Sequence, residues 1–461
     1  MKQDTLKAVS PIDGRYYEST STLNPYVSEF ALIYLRIEIE VRYLLALSKE
    51  GIVRKFNLKE QKLLKDIYEI KSESEANKVK EIEDKVRHDV KAVEIYLREK
   101  LKNTSLKDVI EYLHFALTSE DINNIAYRLT LKRGFESVVL PKYKLLLTSI
   151  LNFSEENISL PMLARTHGQD AIPTTLGKEI CVFGNRIYNE IRKIEKLKLT
   201  GKLNGAVGTY ASFTLTYPKT DWIKFSKSFI ESFDLEFNVL TTQINPLDDI
   251  VEYLQSIHRI NSILLGFNQD MWRYISDGWL TQKVDKSLVG SSTMAQKINP
   301  INFENSEGNI QVVNSLIEGL VRSLPISRLQ RDLSGSTVIR NISTILAHEI
   351  LILDGSIKGI SKVKANHELI TTYLTSNYSI LSEAAQIILR KHGVKDGYEV
   401  IKQKTMGEEM SRTEWEEMIN ALEITKGIKE EILQVSPLNY LGYSEKITKS
   451  TINTIRKYLI L

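Results

Sequence analysis

The stretch DDIVEYLQSIHRINSILLGFNQDMWRYIS, residues 248–276, decides the fold class. Its apolar side chains return every three or four residues along one stripe, which predicts a long helix with one buried face. Asn261 and Asn268 interrupt this stripe. Because buried amides need hydrogen-bond partners, we expect them to fix the helix register or to face a polar pocket. The apolar members of the stripe are Ile250, Leu254, Ile257, Leu264, Met271 and Ile275.

The distribution of proline extends the helical prediction to most of the chain. Residues 26–140, 247–299 and 326–436 contain no proline, the residue that breaks helices. A second apolar face is predicted between residues 110 and 129, and the alternation in LRIEIEV (35–41) is better explained by a helix than by a strand. The fold class is therefore all-α. The second face consists of Ile110, Leu113, Leu117, Ile125 and Leu129.

The length of 461 residues is more than one ordinary core holds. We predict an N-terminal helical domain over 1–110, a central bundle of long helices over 111–365 and a C-terminal helical domain over 366–461. Long helices with several apolar faces bury them against neighbours. Some of these neighbours could belong to other subunits, so the pattern is consistent with an oligomer.

Charge and cysteine content exclude several classes of protein. Lys and Arg number 61 against 58 Asp and Glu, and a net charge of +3 argues against a nucleic-acid-binding surface while leaving room for a local basic pocket. Cys181 is the only cysteine, which excludes an intrachain disulfide and fits a reducing compartment. No membrane-length apolar run or secretory signal is recognised. We expect a soluble, cytoplasmic protein with neither a nucleic-acid nor a membrane partner.

Six short stretches concentrate glycine, hydroxyl, amide, histidine and arginine residues. None has the spacing of a phosphate loop, a dinucleotide fingerprint or a zinc site, so we expect no metal and no organic cofactor. The stretches are SPIDGRY (10–16), RHDVKAVE (87–94), HFALTSEDINN (114–124), RTHGQDAIP (165–173), GSSTMAQKINP (290–300) and QRDLSGSTVIRN (330–341).

Two histidines in these stretches are candidates for acid–base work. His167 precedes Gly168, which lets the backbone approach a ligand closely, and histidine titrates near neutral pH. The alternative is an imidazole satisfied by hydrogen bonds within a turn. His88, followed by Asp89, is either an oriented imidazole or part of a surface helix pair.

Hydroxyl groups and arginines make up the candidate anion-binding groups. Thr118 and Ser119, with Asp121, either cap a helix or bind a carboxylate or phosphate. The pair Arg331 and Arg340 suits a bidentate grip on an anion, although exposed arginines are the ordinary alternative. Ser336 and Thr337 lie between these two arginines.

Ser291 lies in the glycine-initiated stretch 290–300 with Lys297 and Asn299. A serine hydroxyl is a poor base unless nearby dipoles or a cation stabilise its alkoxide. A loop that closes over substrate would create such a water-poor environment. A helix N-cap followed by a polar linker is the alternative.

Taken together, the stretches resemble the fumarase/aspartase superfamily, whose signature loop is GSSxMPxKxN. GSSTM, Lys297 and Asn299 match it in register. The other motifs are similar to the bacterial branch of the adenylosuccinate lyase family, from residue 10 to beyond residue 340. They are SPIDGRY, HFALTSEDINN, RTHGQ, GKLNGAVG, TTQINP and NPINFENSEGN.

The resemblance implies an all-helical, three-domain subunit and a homotetramer around a twenty-helix core, with active sites shared by three subunits. It implies β-elimination of fumarate from adenylosuccinate to give AMP. It also implies cleavage of the succinyl-carboxamide ribotide SAICAR to AICAR in purine nucleotide biosynthesis. No metal or organic cofactor is implied.

Carried over by motif, Ser291 would be the general base that removes a proton from the succinyl carbon, and His167 the general acid that protonates the departing nitrogen. Lys297, Asn299 and the hydroxyl of Thr118 or Ser119 would stabilise the aci-carboxylate. His88 and Asp89 match a pair near the nucleotide, with His88 supporting phosphate binding or orienting His167. Gln243 matches a substrate-contacting glutamine. The residues implied to hold the phosphate and nearby groups are Arg15, Tyr16, Arg331, Ser336 and Arg340, with Thr337 beside them.

Four positions depart from the family pattern. Ala295 and Gln296 replace a proline and a polar residue of the loop, which frees the backbone. Arg87 stands where asparagine is common, either as an extra cation beside the phosphate or as a partner of Asp89. Asp170 stands where THGQP has proline.

Overall fold

The computed structural model describes residues 5–283, 294 and 297–460, and these residues are overwhelmingly helical. The prediction of an all-α fold is confirmed. The first eleven α-helices are α1 Tyr17–Thr20, α2 Asn24–Val27, α3 Glu29–Glu50, α4 Leu58–Glu69, α5 Glu73–Val86, α6 Asp89–Leu101, α7 Ser119–Gly134, α8 Leu140–Glu156, α9 Leu176–Ile194, α10 Ala211–Thr216 and α11 Trp222–Glu231. The others are α12 Asp248–Ser276, α13 Ile301–Ser323, α14 Ser334–Val338, α15 Ile342–Lys362, α16 His367–Ser376, α17 Ser382–Lys391, α18 Gly397–Thr405, α19 Arg412–Asn420, α20 Lys426–Leu433 and α21 Ser444–Ile460.

Helix α12 confirms the stripe from which the fold class was predicted. Five of its six apolar members are fully buried, and Ile275 is partly exposed. Asn261 is also fully buried, and its amide nitrogen donates to Glu349 Oε1 at 2.6 Å. Asn268 donates to Ser306 Oγ at 2.9 Å and accepts from Ser356 Oγ at 2.9 Å. The Asn268 amide thus has buried partners on both its atoms, whereas Asn261 uses its nitrogen and its Oδ1 atom has no hydrogen-bond partner among the described residues.

The predicted helical face between residues 110 and 129 is only half correct. A short 3-10 helix, Lys107–Tyr112, is followed by a turn, and α7 begins at Ser119. His114 and Ala116 have φ of 58° and 60°, a left-handed conformation that no α-helix accommodates. The Nδ1 atom of His114 lies 2.5 Å from Glu40 Oε1, which ties this turn to α3. The break allows α7 to start with free N–H groups beside the turn.

The described residues contain three two-stranded sheets. β1 (Pro161–Thr166) pairs antiparallel with β2 (Gln169–Thr175), β3 (Thr200–Gly201) pairs parallel with β4 (Glu236–Phe237), and β5 (Leu280–Gln282) pairs antiparallel with β6 (Val363–Ala365). The sequence reading missed the β1–β2 hairpin, although RTHGQ lies at its tip. Its two turn residues, His167 and Gly168, have φ of 55° and 76°, as a type I′ turn requires.

The chain forms two compact units, each built from three separate segments. The first unit contains residues 1–142, 192–261 and 309–352, and the second contains 143–191, 262–308 and 353–461. Each unit has its own apolar core. The division into three domains at residues 110 and 365 stays a prediction.

One helical stretch, Ser334–Lys362, is long and apolar enough to cross a membrane by length and composition alone. In the structure 56% of its most apolar window is buried inside the protein. Its Glu349 is fully buried and accepts the hydrogen bond from Asn261. A paired carboxylate in this position is typical of a helix that packs into a polar-containing protein core.

Candidate active site

A cavity of about 310 Å³ in the first unit gathers many of the predicted residues. Its wall is formed by the end of α5, the starts of α6 and α7, residues 244–247 and residues 324–340. The wall carries four arginines and four carboxylates, together with hydroxyl, amide and apolar side chains. Its arginines and hydroxyls suit the anionic groups of a ligand that also presents hydrogen-bond donors. The predicted residues that line it are Arg87, His88, Asp89, Ser119, Arg331, Ser336 and Arg340.

Arg331 is the centre of the cavity's polar contacts. Its Nη1 atom donates to Ser119 Oγ at 3.4 Å and to Gln243 Oε1 at 3.3 Å, and its Nη2 atom donates to Ser336 Oγ at 3.5 Å. These contacts are long for hydrogen bonds. The guanidinium can therefore exchange them for shorter bonds to a bound anion.

Glu120 places a carboxylate beside this arginine, which sequence reasoning did not identify. Its Oε2 atom lies 3.6 Å from Arg331 Nη2. Burial raises the pKa of Glu120 above its ordinary value, although Arg331 and Lys202 act in the opposite direction. The cavity therefore contains a buried acid among its cations.

His88 and Asp89 meet the cavity at the start of α6. His88 Nδ1 accepts the backbone N–H of Lys91 at 3.1 Å, so a neutral ring carries its proton on Nε2. The imidazole is half exposed. Asp89 Oδ2 lies 2.5 Å from Arg36 Nη2. Burial raises the pKa of Asp89, but Arg36 and the N–H of Val90 outweigh it and hold that pKa below its ordinary value.

Arg87, which replaces the asparagine common in the family, was expected to be either an extra cation beside the phosphate or a partner of Asp89. Its position distinguishes these two interpretations. Arg87 ends α5 in a left-handed conformation, with φ of 55°, and its side chain lines the cavity. Asp89 pairs with Arg36 and not with Arg87. The geometry therefore favours the extra cation over the Arg87–Asp89 pair.

Thr118 and Asp121 form the cap that the sequence suggested. Thr118 is the N-cap of α7, and its backbone N–H donates to Asp121 Oδ2 at 2.9 Å. Asp121 Oδ1 accepts the N–H of Asn204 at 3.0 Å and lies 3.1 Å from Lys202 Nζ. Asp121 and Lys202 are both fully buried. Asp121 is thus structural, whereas Ser119 lies on the cavity wall.

Three further predicted residues are not among those that line this cavity. Arg15 is exposed, and Tyr16 donates its backbone N–H to Pro11 O at 2.9 Å in the turn before α1. Thr337 lies on the exposed side of α14. Their roles in binding stay predictions.

His167 belongs to the second unit, at the tip of the β1–β2 hairpin. Its imidazole is exposed, and it makes no hydrogen bond to any residue that the structure describes. The alternative of an imidazole satisfied within the turn therefore does not fit this hairpin.

The described residues include Met294 and residues 297–300 of the signature loop. Lys297 is exposed and Asn299 partly exposed, just before α13. Ser291, Ala295 and Gln296 lie outside the described residues. Within the described part of the chain, no group of three or more His, Cys, Asp or Glu side chains is arranged to hold a metal ion.

Comparison with known families agrees with the arrangement of these motifs. A lyase family model matches residues 18–314, and a model described as adenylosuccinate lyase C-terminal matches residues 327–441. The adenylosuccinate lyase of Legionella pneumophila (strain Corby) is 39% identical over 454 residues, which cover 98% of this chain and 100% of that protein. The chain belongs to the adenylosuccinate lyase family.

Other adenylosuccinate lyases are similarly close. The Escherichia coli (strain K12) enzyme is 37% identical, covering 96% of this chain and 98% of its own length. The Dictyostelium discoideum enzyme is 41% identical, covering 95% and 97%. Among solved structures, a fumarate lyase from Mesorhizobium sp. BNC1 superposes with a TM-score of 0.75 at 16% identity, covering 94% of this chain and 97% of that one. At such low identity the superposition shows a shared fold.

The sequence did not predict the buried side chains that support the cavity wall from behind, of which Arg36 is the main one. Arg36 is 1% exposed, pairs with Asp89 and donates from Nε to Asn123 Oδ1 at 2.9 Å. Asp89 and Asn123 both line the cavity. The signal was available, since Arg36 directly follows the apolar run ALIYL (31–35), and a cation in such a position is seldom buried without a partner.

Proposed function

We propose that the chain catalyses β-elimination of fumarate from adenylosuccinate, giving AMP, and the equivalent cleavage of SAICAR to AICAR. The observation that carries this proposal is the cavity in which Arg331, Arg340 and Arg87 converge with Ser119 and Ser336. A phosphorylated nucleotide that bears a succinyl group presents anionic groups that match such a wall. Family membership over nearly the whole chain supports the reaction class.

In the proposed mechanism Ser291 removes a proton from the succinyl carbon next to a carboxylate. The electron pair released is first delocalised into that carboxylate, and it then forms the carbon–carbon double bond of fumarate as the carbon–nitrogen bond breaks. His167 delivers a proton to the departing nitrogen. Lys297 and Asn299 stabilise the negative charge that develops on the carboxylate. The imidazole of His167 is exposed and has no hydrogen bond to the described part of the chain, which supports its role, because a general acid needs a side chain free to meet substrate.

The functional form is proposed to be a homotetramer with active sites shared between subunits. Long helices leave large apolar side chains exposed, among them Ile301 at 59% and Val312 at 54% on α13. Burying such residues against another subunit would stabilise the assembly. We place the enzyme in the cytoplasm, with no cofactor, metal, membrane or nucleic acid taking part. Sedimentation of an active monomer would contradict the shared-site arrangement.

A substrate panel tests the proposed activity. Adenylosuccinate, SAICAR, argininosuccinate, malate and aspartate are each incubated with the purified protein, and release of fumarate is followed by absorbance. We expect fumarate from the first two substrates only. Turnover of argininosuccinate or malate with inert adenylosuccinate would assign the chain to another branch, and inertness toward all five would indicate a silent scaffold. Ser291→Ala should abolish most turnover while substrate binding is retained.

A further inference from the structure

Both strands of the hairpin that carries His167 are attached to the same group of residues, Asp277, Trp279 and Tyr373, which we call the platform. Arg165 on β1 and Asp170 on β2 are cross-strand partners, one residue pair away from the pair that flanks the two-residue turn. The guanidinium of Arg165 pairs with Asp277 and lies 4.2 Å from the ring centroid of Trp279. On the other strand, Tyr373 Oη donates to Asp170 Oδ1 at 3.3 Å. A pair of neighbouring residues, one per strand, thus fixes the base of the turn.

The platform itself is well supported. Trp279 is 2% exposed, and its carbonyl accepts the backbone N–H of Asn366 at 2.8 Å. The amide nitrogen of Asn366 also donates to Gly278 O at 3.2 Å. The Arg165–Asp277 pair is four-fifths buried, so it is screened less by solvent than a surface pair. An arginine in this setting gains from its planar, stacking guanidinium, which lysine lacks.

The pairing of β1 with β2 shifts register between Leu163 and Arg165. A β-bulge of this kind bends a strand and re-aims the side chains that follow it. Because a two-stranded hairpin is only marginally stable alone, its orientation depends on what it is attached to. The hairpin fixes the backbone of His167 and the direction of its Cα–Cβ bond, and so sets the region that the exposed imidazole can reach.

We propose that Arg165 is a positioning residue for the general acid, with the Asp170–Tyr373 hydrogen bond as a second, weaker anchor. This inference rests on the proposed function, since it assumes that His167 donates the proton. Asp170 then has a role in this chain: it gives the second strand an acceptor for Tyr373. Neither Arg165 nor Asp170 is assigned any contact with substrate.

Arg165→Ala is the direct test, and Arg273→Ala is its matched control. Arg273 binds the same carboxylate, with Nε 3.0 Å from Asp277 Oδ2, but it is 64% exposed and lies one helical turn before Asp277 on α12. We expect Arg165→Ala to lower kcat for adenylosuccinate by roughly 10- to 100-fold with KM within about twofold, because misplacing a reacting group by about 1 Å costs this much. Arg273→Ala should leave both constants within about twofold.

A double-mutant cycle distinguishes an effect of Arg165 on the position of His167 from a general loss of structure in the enzyme. If Arg165 acts through His167, adding Arg165→Ala to His167→Ala should lower kcat no further. Additive losses would overturn the proposal, as would an Arg165→Ala enzyme with wild-type kcat. Guanidinium ion added to the Arg165→Ala enzyme should restore part of its turnover and have no effect on the Arg273→Ala enzyme.

Two conservative variants cover the case in which Arg165→Ala does not fold. Arg165→Lys keeps the charge but loses the planar fork, so an intermediate loss of kcat is expected. Tyr373→Phe removes one hydrogen bond and should lower kcat by about two- to fivefold. Wild-type kcat in both would contradict the positioning role.

A wild-type protein that releases no fumarate from adenylosuccinate would overturn the proposed function and this inference together. An active wild type whose Arg165 and Tyr373 variants are unaffected overturns the inference alone.

Discussion

The cavity of the first unit and the hairpin of the second hold their polar groups in opposite ways. Around the cavity, side chains on the wall are braced by a buried layer behind them, such as Arg36 behind Asp89. At the hairpin, the imidazole of His167 stands exposed on a turn of two left-handed residues, and the nearest anchors are Arg165 and Asp170 on the strands below it. In the first region the polar groups of the site are held directly by partners, whereas in the second the hairpin that carries the imidazole is held.

This difference separates binding from chemistry. A cluster of cations and hydroxyls attracts an anionic substrate in the ground state and in the transition state alike, so it acts mainly on KM. A single proton donor acts only while the bond breaks, so it acts mainly on kcat. Substitutions in the two regions should therefore have different kinetic signatures.

The largest effect is expected from His167→Ala. Loss of a general acid should lower kcat by about 10²- to 10⁴-fold with KM changed by only a few fold. Steady-state release of fumarate from adenylosuccinate gives both constants, and the neighbouring exposed Gln169→Ala serves as the control. A His167→Ala enzyme with normal kcat and raised KM would show that His167 binds substrate. The kinetic difference between the cavity and the hairpin would then not exist.

The next largest effect is expected on stability, from Arg36→Met. The change leaves Asp89 without its partner and Asn123 without its donor, which should cost about 3 kcal/mol of unfolding free energy. Urea denaturation measures this quantity. Lys62→Met is the comparison, because water screens the exposed Lys62–Asp66 pair and its loss should lower the unfolding free energy far less. Equal losses in the two variants would mean that the buried layer is no stronger than a surface pair.

Arg331→Lys should weaken binding without slowing chemistry. Lysine cannot reproduce the planar fork that reaches Ser119, Gln243 and Ser336, so KM for adenylosuccinate should rise about 10- to 100-fold with little change in kcat. Arg328→Lys is a control on the same segment, since Arg328 is exposed and does not line the cavity. A fall in kcat at constant KM would contradict the assignment of Arg331 to binding.

The pKa of Asp89 predicts a smaller, pH-dependent effect. Because that pKa is lower in the folded protein than in the unfolded chain, the ionised Asp89 stabilises the fold above the unfolded value of about 3.9. The stabilisation is lost as the pH falls through the folded pKa. The unfolding free energy of the wild type should therefore drop more steeply below about pH 4 than that of Asp89→Asn. Parallel pH profiles would show that Arg36 does not perturb Asp89.

Arg87→Asn should change stability and binding in opposite directions. Asparagine tolerates the left-handed conformation at the end of α5 better than arginine, so the melting temperature should rise, by an amount that corresponds to less than about 1 kcal/mol. The loss of a cation from the cavity wall should raise KM about two- to fivefold. A rise in melting temperature with unchanged KM would show that Arg87 does not contact substrate.

Helical periodicity predicted α12 well and the region before α7 poorly, for a physical reason. Burial of a stripe depends on spacing along the sequence, and Ile250 or Leu264 could be assigned from spacing alone. The turn at His114 and Ala116 depends on backbone dihedral angles, which apolar spacing does not encode. The same applies to the hairpin, whose six- and seven-residue strands do not alternate between buried and exposed side chains, so periodicity could not detect them.

At the cavity, exposed chemistry was easier to predict than its buried support. Arg331, Ser336 and His88 stand in dense polar motifs, so the sequence marks them directly. Arg36 and Lys202 are single cations within apolar or glycine-rich runs, and their partners lie 53 and 81 residues away, respectively. Pairing over such distances follows from the packing of helices, which no local pattern specifies. Arg15, Tyr16 and Thr337 stay predictions.

The alternation of the chain between its two units also affects how the protein is made. The first unit needs residues up to 352, and the second needs residues up to 461. At the usual rate of synthesis, roughly 20 to 70 s pass before the first unit has all of its segments. In the last part of that interval α12 has been made, but its apolar stripe still has no partner from 309–352. We expect such a nascent chain to need protection from aggregation until residues 309–352 have emerged.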